Sequence, residues 1–303
     1  MIATVRQSAA FSPCNITGFF HIHDRSVNPL RIGSTGSSVA LDQGVTTRLR
    51  ICKALRSRVF VTFNKEPLNN PLVSKSVAEA YRRLDGAAWE VRISHDCPLP
   101  LGCGYGTSGA GALGLSLALN DAIGLSLTRL QCAQIAHECE VKCKTGLGTV
   151  ASVFFGGFTV RTHPGAPGIG TVRTIRLPDS LRVVSASFGP VSTPKILASH
   201  PLRTRINYCS RTLVSKILRE TTDTMFMSLS RRFANCLGLM SHRLIQVMNL
   251  LCTNRVRSSM MMLGESLFCI LPKDRVPQAK AAIHSVGLIP SICKVAKSGA
   301  TLI

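Results

Sequence analysis

Residues 98–113 read Pro98-Leu-Pro-Leu-Gly-Cys-Gly-Tyr-Gly-Thr-Ser-Gly-Ala-Gly-Ala-Leu113, and the fold turns on what this run can be. Its two prolines keep it out of a strand interior. Gly104-x-Gly106-x-x-Gly109 satisfies the pattern of a dinucleotide-binding turn. That turn, however, needs a strand passing straight into its helix, a returning parallel strand and an acidic residue ~20 positions on. Here the prolines separate strand from loop, and the helix that follows leads to another helix. No Gly-Lys-Ser/Thr closes the run, which excludes a P-loop. What remains is an anion cradle, in which glycines allow close backbone approach, successive N–H groups converge and the next helix adds its positive end. Gly102, Gly104, Gly106, Thr107, Ser108 and Gly109 are the candidate phosphate-binding residues. The plainer alternative is a glycine-rich turn with no ligand.

Working outward, 58–63 (RVFVTF) and 88–94 (AWEVRIS) alternate with period two and predict half-buried strands. Between them Val73, Val77, Ala80, Tyr81 and Leu84 recur at helical spacing, which predicts a helix crossing the sheet. Further upstream, 11–23 predicts a strand broken at Pro13, and 33–38 (GSTGSS) a turn-rich stretch leading into Val39. Downstream, the apolar stretch 110–127 contains Asn120, Asp121 and several Gly and Ser residues. It therefore predicts a buried helix, since a bilayer span wants ~20 clean apolar residues. Thr128 and Gln131 form a capping box for a second helix to about Lys144, which Gly146-Leu147-Gly148 ends. Strand character resumes at 153–161 (VFFGGFTVR), 171–177 and 181–188. Beyond Pro190, apolar residues at helical spacing mark 209–218, 224–237 and 242–251, followed by a loop at 258–264 and a strand at 267–271. A helix near 278–286 and a strand near 292–296 complete the pattern. This predicts an α+β fold with domains at 1–189 and 190–303.

With 303 residues, 45% of them hydrophobic, and no long biased tract, the chain is neither disordered nor fibrous. Its 36 Lys+Arg against 15 Asp+Glu give a net charge of +21, which implies an anionic partner: nucleic acid, an acidic membrane surface, or a small phosphorylated or carboxylated ligand. Only 5% of residues are aromatic, Trp89 is the sole tryptophan and the basic residues are scattered, all of which argue against nucleic acid. The opening MIATVRQSAAFSP has no apolar segment of a secretory leader, so the twelve cysteines are expected to be reduced and the protein cytoplasmic. No CxxC pair occurs, and Cys139 and Cys143 beside His137 lack a second ligand pair, so no structural zinc is expected.

Ser108 is suited to place a hydroxyl on a phosphate-bound Mg²⁺, or simply to cap the helix. On the next helix His137 and Glu140 lie three apart and share a face, while Glu138 points about a quarter turn away. A carboxylate near a serine-bearing phosphate loop suggests a second Mg²⁺ ligand. A solvated helix surface is the competing account for both glutamates, as is a hydrogen-bonded structural role for His137.

Residues 98–113 resemble the phosphate-binding motif of the GHMP kinases, a superfamily of small-molecule kinases, and further segments resemble its archaeal pantoate kinase branch. These are 11–20 (FSPCNITGFF), 33–47, 136–141, Thr145-Gly-Leu-Gly148, 156–161, 164–168 (PGAPG) and 259–268 (SMMMLGESLF). The resemblance implies the superfamily's two-domain α+β architecture with a cleft between the domains. It implies ATP-dependent phosphorylation of the 4-hydroxyl of pantoate on the archaeal route to coenzyme A, with Mg²⁺ as cofactor. Carried over by position, Ser108 and Glu140 are the expected Mg²⁺-ATP residues. Ser34, His137 and Arg161 are the expected pantoate contacts, with Ser192 or Thr193 as a weaker candidate. A planar guanidinium such as Arg161 binds a carboxylate bidentately.

The family commonly places an Asp after Gly-Leu-Gly that could orient or deprotonate the attacking hydroxyl, whereas this chain has Thr149, which cannot act as a general base near neutral pH. Phosphoryl transfer depends mainly on positioning and charge neutralisation, so activity can survive this change. The 11–20 segment also has Asn15 where the pattern often carries a different polar residue. The expected partners are pantoate and ATP, with a homodimer as the candidate assembly and neither membrane nor nucleic acid. Three other readings compete: a related kinase acting on homoserine or mevalonate, a basic nucleic-acid-binding protein, and a catalytically dead family member.

Overall fold

The computed structural model describes residues 5–190 and 199–303. Its first half is built on two long antiparallel strands, β1 (Arg6–His23) and β2 (Gly33–Lys53), paired along almost their whole length. β3 (Arg58–Phe63) and β5 (Trp89–Asp96) fall where their alternation predicts. They run parallel to each other, as they must when α1 (Leu72–Asp85) carries the chain back across the sheet. With the short β4 (Glu66–Pro67), β6 (Phe158–His163), β7 (Thr171–Ile175) and β12 (Thr301–Leu302), they form one eight-stranded sheet. α2 (Thr107–Ile123) packs on β1 and β2 and is buried on nearly every side. Its glycines allow this, because a Cβ at Gly114 would stand 2.9 Å from the Thr47 hydroxyl. α3 (Arg129–Lys142) begins at the predicted capping box, with Thr128 Oγ1 accepting from the Gln131 amide and Gln131 accepting from the Thr128 amide.

A second sheet has the order β11 (Ser291–Cys293), β8 (Leu181–Gly189), β10 (Glu265–Pro272), β9 (Ser259–Met260). Helices α5 (His200–Ser210), α6 (Leu213–Arg219), α7 (Asp223–Leu237), α8 (His242–Thr253) and α9 (Val276–His284) accompany it. The boundary expected after residue 189 falls at the end of β8, whose partners β10 and β11 both lie in the C-terminal part, so the sheets divide between β7 and β8. β12 returns to the first sheet and pairs with β1.

Four local expectations are corrected. β1 runs through Pro13 instead of breaking there, since a register shift between Pro13 and Asn15 absorbs the missing N–H. The same irregularity diverts the Asn15 amide from the ladder to the carbonyl of Tyr105, at 2.9 Å. Residues 33–38 are strand, not turn, because β1 and β6 flank them and only small side chains fit between; a Cβ at Gly36 would lie 2.3 Å from the Phe19 carbonyl oxygen. Residues 153–155 end a seven-residue helix, α4 (Thr149–Phe155). Val150, Val153 and Phe154 fill the core beside α2 and α3, and this packing overrides their strand propensity. Finally, not every thiol is free. Packing of α5 against α7 brings the Cα atoms of Cys209 and Cys236 to 5.8 Å, where they form a disulfide, and the remaining ten cysteines are unbonded. Among the described residues no helix is long and apolar enough to cross a membrane.

Candidate active site

The glycine run lines an open-mouthed cleft of about 180 Å³, with Gly102, Gly104, Gly106, Thr107, Ser108 and Gly109 all on its wall. Gly102, Gly104 and Gly106 have φ of 75°, 90° and 64°, a region favouring glycine. Gly106 is also the N-cap of α2 and supplies no side-chain cap. The first-turn amides are therefore left for a ligand, as an anion site at a helix start requires. Ser108 is consequently not the cap. It is the second residue of the helix, and its hydroxyl donates to Glu140 Oε1 at 2.5 Å.

Glu140 is fully buried although it borders the cleft, and burial pushes its carboxyl above the usual carboxylate range. Thr145 Oγ1 donates to the same oxygen at 2.7 Å. Gly146 makes this approach possible, since a Cβ there would meet Glu140 Oε2 at 2.1 Å. No cation pairs with Glu140 among the described residues. A buried carboxylate beside a hydroxyl is a hard-oxygen donor pair of the kind that suits Mg²⁺, which takes few protein ligands and completes its shell with phosphate and water. The described residues hold no group of three or more His, Cys, Asp or Glu placed to hold a metal ion. Glu138 turns away from this face and pairs with Lys142.

Arg161, on β6, also lines the cleft and is 3% exposed. Its NH1 group donates to Ser152 Oγ at 2.6 Å and Ser38 Oγ at 2.9 Å, and Nε to the Ser34 carbonyl at 3.3 Å. No acidic side chain pairs with it among the described residues, and burial alone pulls its pKa down to about 10. A buried charge without a counter-charge is costly, so this guanidinium is poised for an anion. Ser34, also on the cleft wall, meets it across Gly148: a Cβ at Gly148 would lie 2.4 Å from Ser34 Oγ and 2.7 Å from Arg161 Nε.

Two expected residues sit differently. His137 does not reach the cleft; it is buried behind it, and its Nε2–H donates to the Ile32 carbonyl at 2.9 Å, fixing the strand that presents Ser34. Burial lowers its pKa, which favours the neutral ring. Thr149, the first residue of α4, does line the cleft, but its methyl faces the loop: Cβ atoms at Gly106 and Gly109 would stand 2.9 and 2.6 Å from its Cγ2. Ser192 and Thr193 lie outside the described residues. The cleft also contains residues to which sequence reasoning gave no role: Asn15, Thr17, Phe20, Thr145, Met262 and Leu263. Asn15 and Thr145 lie inside segments that drew notice, but only the folded chain reveals what they face.

The family profile described as GHMP kinases N terminal domain matches residues 72–157, which hold the glycine loop, Glu140 and Thr149. The chain is 34% identical to the pantoate kinase of Thermococcus kodakarensis over 292 residues, covering 94% of this chain and 95% of that one. It is 32% identical to the pantoate kinase of Methanocaldococcus jannaschii over 285 residues, covering 94% and 99%. A solved structure titled as a phosphotransferase related to the CoA biosynthesis pathway superposes with a TM-score of 0.88 at 32% identity, covering 98% of each chain.

Proposed function

The chain belongs to the pantoate kinase family of the GHMP kinases, and from that premise we propose that it transfers the γ-phosphoryl group of ATP to the 4-hydroxyl of pantoate. The observation that carries this reading is the pairing, in one cleft, of a glycine loop at a helix start with a buried guanidinium that has no acidic partner among the described residues. ATP phosphates suit the amides of residues 106–109, and the carboxylate of pantoate suits Arg161, with the Ser34 hydroxyl beside it.

Ser108 and Glu140 are the residues that would hold Mg²⁺, which neutralises charge on the transferring phosphoryl group when bound. The protein's own contribution is alignment. Arg161 and Ser34 anchor one end of the acceptor, the loop anchors the donor, and the wall formed by Phe20, Leu101, Met262 and Leu263 limits water. The acceptor oxygen bonds to the γ-phosphorus as the bridging P–O bond breaks, and ADP leaves. With Thr149 in place of a carboxylate, the hydroxyl proton passes to a phosphoryl oxygen and not to a side chain at that position. A loose transition state tolerates this, because little proton transfer is needed before the bond is formed.

The test is ADP release by purified protein given Mg²⁺-ATP and, separately, pantoate, homoserine, mevalonate and glycerate. Pantoate is expected to be the productive acceptor. Release with another alcohol and not with pantoate would reassign the substrate. ATP binding without release for any of them would favour a member that has lost catalysis.

A further inference from the structure

Among the described residues three buried side-chain atoms have no hydrogen-bond partner: Ser12 Oγ, Asn15 Oδ1 and Ser258 Oγ. Of the three residues, only Asn15 lines the cleft. Its side chain is 1% exposed, its Nδ2 group reaches Thr17 Oγ1 at 3.4 Å, and its backbone amide is tied to the glycine loop through Tyr105. The free oxygen is aimed at the loop, since a Cβ at Gly106 would lie 2.1 Å from Asn15 Oδ1. Gly106 thus leaves an opening through which the carboxamide reaches the glycine loop. The methyl of Thr149 borders the same opening, 2.9 Å from where that Cβ would stand.

A buried acceptor left unpaired is destabilising, so its persistence in a binding cleft calls for a donor in the occupied site. ATP cannot provide one there, because phosphate oxygens only accept. The acceptor alcohol can. We infer that Asn15 receives the reacting hydroxyl: its carboxamide oxygen accepts that group's hydrogen bond and turns the oxygen lone pair toward the γ-phosphorus. This rests on the pantoate kinase reading and adds to it the residue that orients the nucleophile in a site with no side-chain base at position 149. Asn15 takes no proton. As the O–P bond forms and the bridging P–O bond to ADP breaks, the proton leaves the acceptor oxygen, giving up its hydrogen bond to Asn15 Oδ1, for an oxygen of the transferring phosphoryl group, and the product leaves protonated on phosphate.

Steady-state kinetics with pantoate and ATP varied, ATP affinity by calorimetry without acceptor, and rates across pH 5–9 test this on wild type, Asn15→Ala and Asn15→Asp. Asn15→Ala is expected to lower kcat by roughly 10- to 100-fold while leaving acceptor-free ATP affinity within about twofold, because the lost contact exists only with the alcohol bound. Asn15→Asp keeps the shape and the acceptor oxygen, so it also serves as the folding control. It adds a base at the hydroxyl, and its kcat is expected to rise with pH through the new carboxyl's titration, a limb absent from wild type. Two results would overturn the assignment: kcat unchanged in both variants, which makes Asn15 a structural residue, or an Asn15→Ala loss confined to ATP affinity, which places the amide nitrogen on phosphate. Failure of the broader reading is distinct, since wild type itself would then release no ADP with pantoate.

Discussion

The Ser108 hydroxyl and the Glu140 carboxylate meet at 2.5 Å although 32 residues separate them, one on the first turn of α2 and the other on the last turn of α3. Two helix ends are thereby locked at the point where metal and phosphate would sit. Ser108→Ala and Glu140→Ala are each expected to reduce kcat by about 10²-fold or more, because each removes an oxygen ligand from the cation that neutralises the phosphoryl group. Glu138→Ala, which removes only a surface ion pair with Lys142, is expected to change kcat by less than about twofold. Damage from Glu138→Ala with a silent Glu140→Ala would reverse the assignment.

Arg161→Lys tests the acceptor end. The guanidinium already spends NH1 on Ser38 and Ser152, leaving NH2 for a ligand, and an ammonium cannot serve both sides at once. The expected result is a rise of roughly 10-fold or more in KM for pantoate with ATP KM nearly unchanged. Equal losses for both substrates would point to collapse of the cleft.

Thr149→Asp is expected to raise turnover, with general-base help worth up to roughly 10²-fold when well placed. The gain should appear as kcat climbing with pH through the new carboxyl's titration, because only the ionised form accepts a proton. Charge repulsion with the γ-phosphate opposes it. A folded variant slower than wild type at every pH would rule out a base at this position.

Stability should fall as pH drops from about 6.5 to about 4, and His95 provides the reason. The ring is buried between Thr47 Oγ1 at 2.9 Å and Ser74 Oγ at 3.1 Å, and burial lowers its pKa to about 4. Since the unfolded chain binds the proton first, acid favours unfolding across that window, by about 3 kcal/mol in total. Denaturant titrations at pH 7 and pH 4.5, on wild type and on His95→Gln, measure it. An equal loss in both proteins would assign the effect to other groups.

What the sequence discloses here is what local chemistry decides. The alternation in RVFVTF, the Thr128–Gln131 capping box and the shared face of His137 and Glu140 all depend on neighbours within one element, and each is seen in the fold. The helix at 149–155 escapes the same reading because its Val and Phe residues favour strand and only contact with α2 and α3 makes them helical. The site divides likewise. The glycine loop declares itself by composition, whereas Asn15 and Thr145 are ordinary polar residues until a strand irregularity and a turn bring them to Gly106 and Glu140. The burial of His137 follows from its helix face, but its place behind the cleft, holding Ile32, depends on where β2 begins.

β12 seals the sheet at Ala10 and Phe11 with Leu302 and Thr301, while Gly299 is wedged so close to the backbone of Phe154 that no side chain would fit. The strand that carries Asn15 leaves the ribosome well before the segment that pairs with its outer edge. For most of synthesis that edge presents unpaired N–H and C=O groups, a template on which neighbouring nascent chains can add strands. The hazard for this protein therefore lies in its manufacture more than in its finished state. Slow elongation or loss of residues 301–302 should show itself as aggregation of new chains well before any deficit appears in molecules that have already folded.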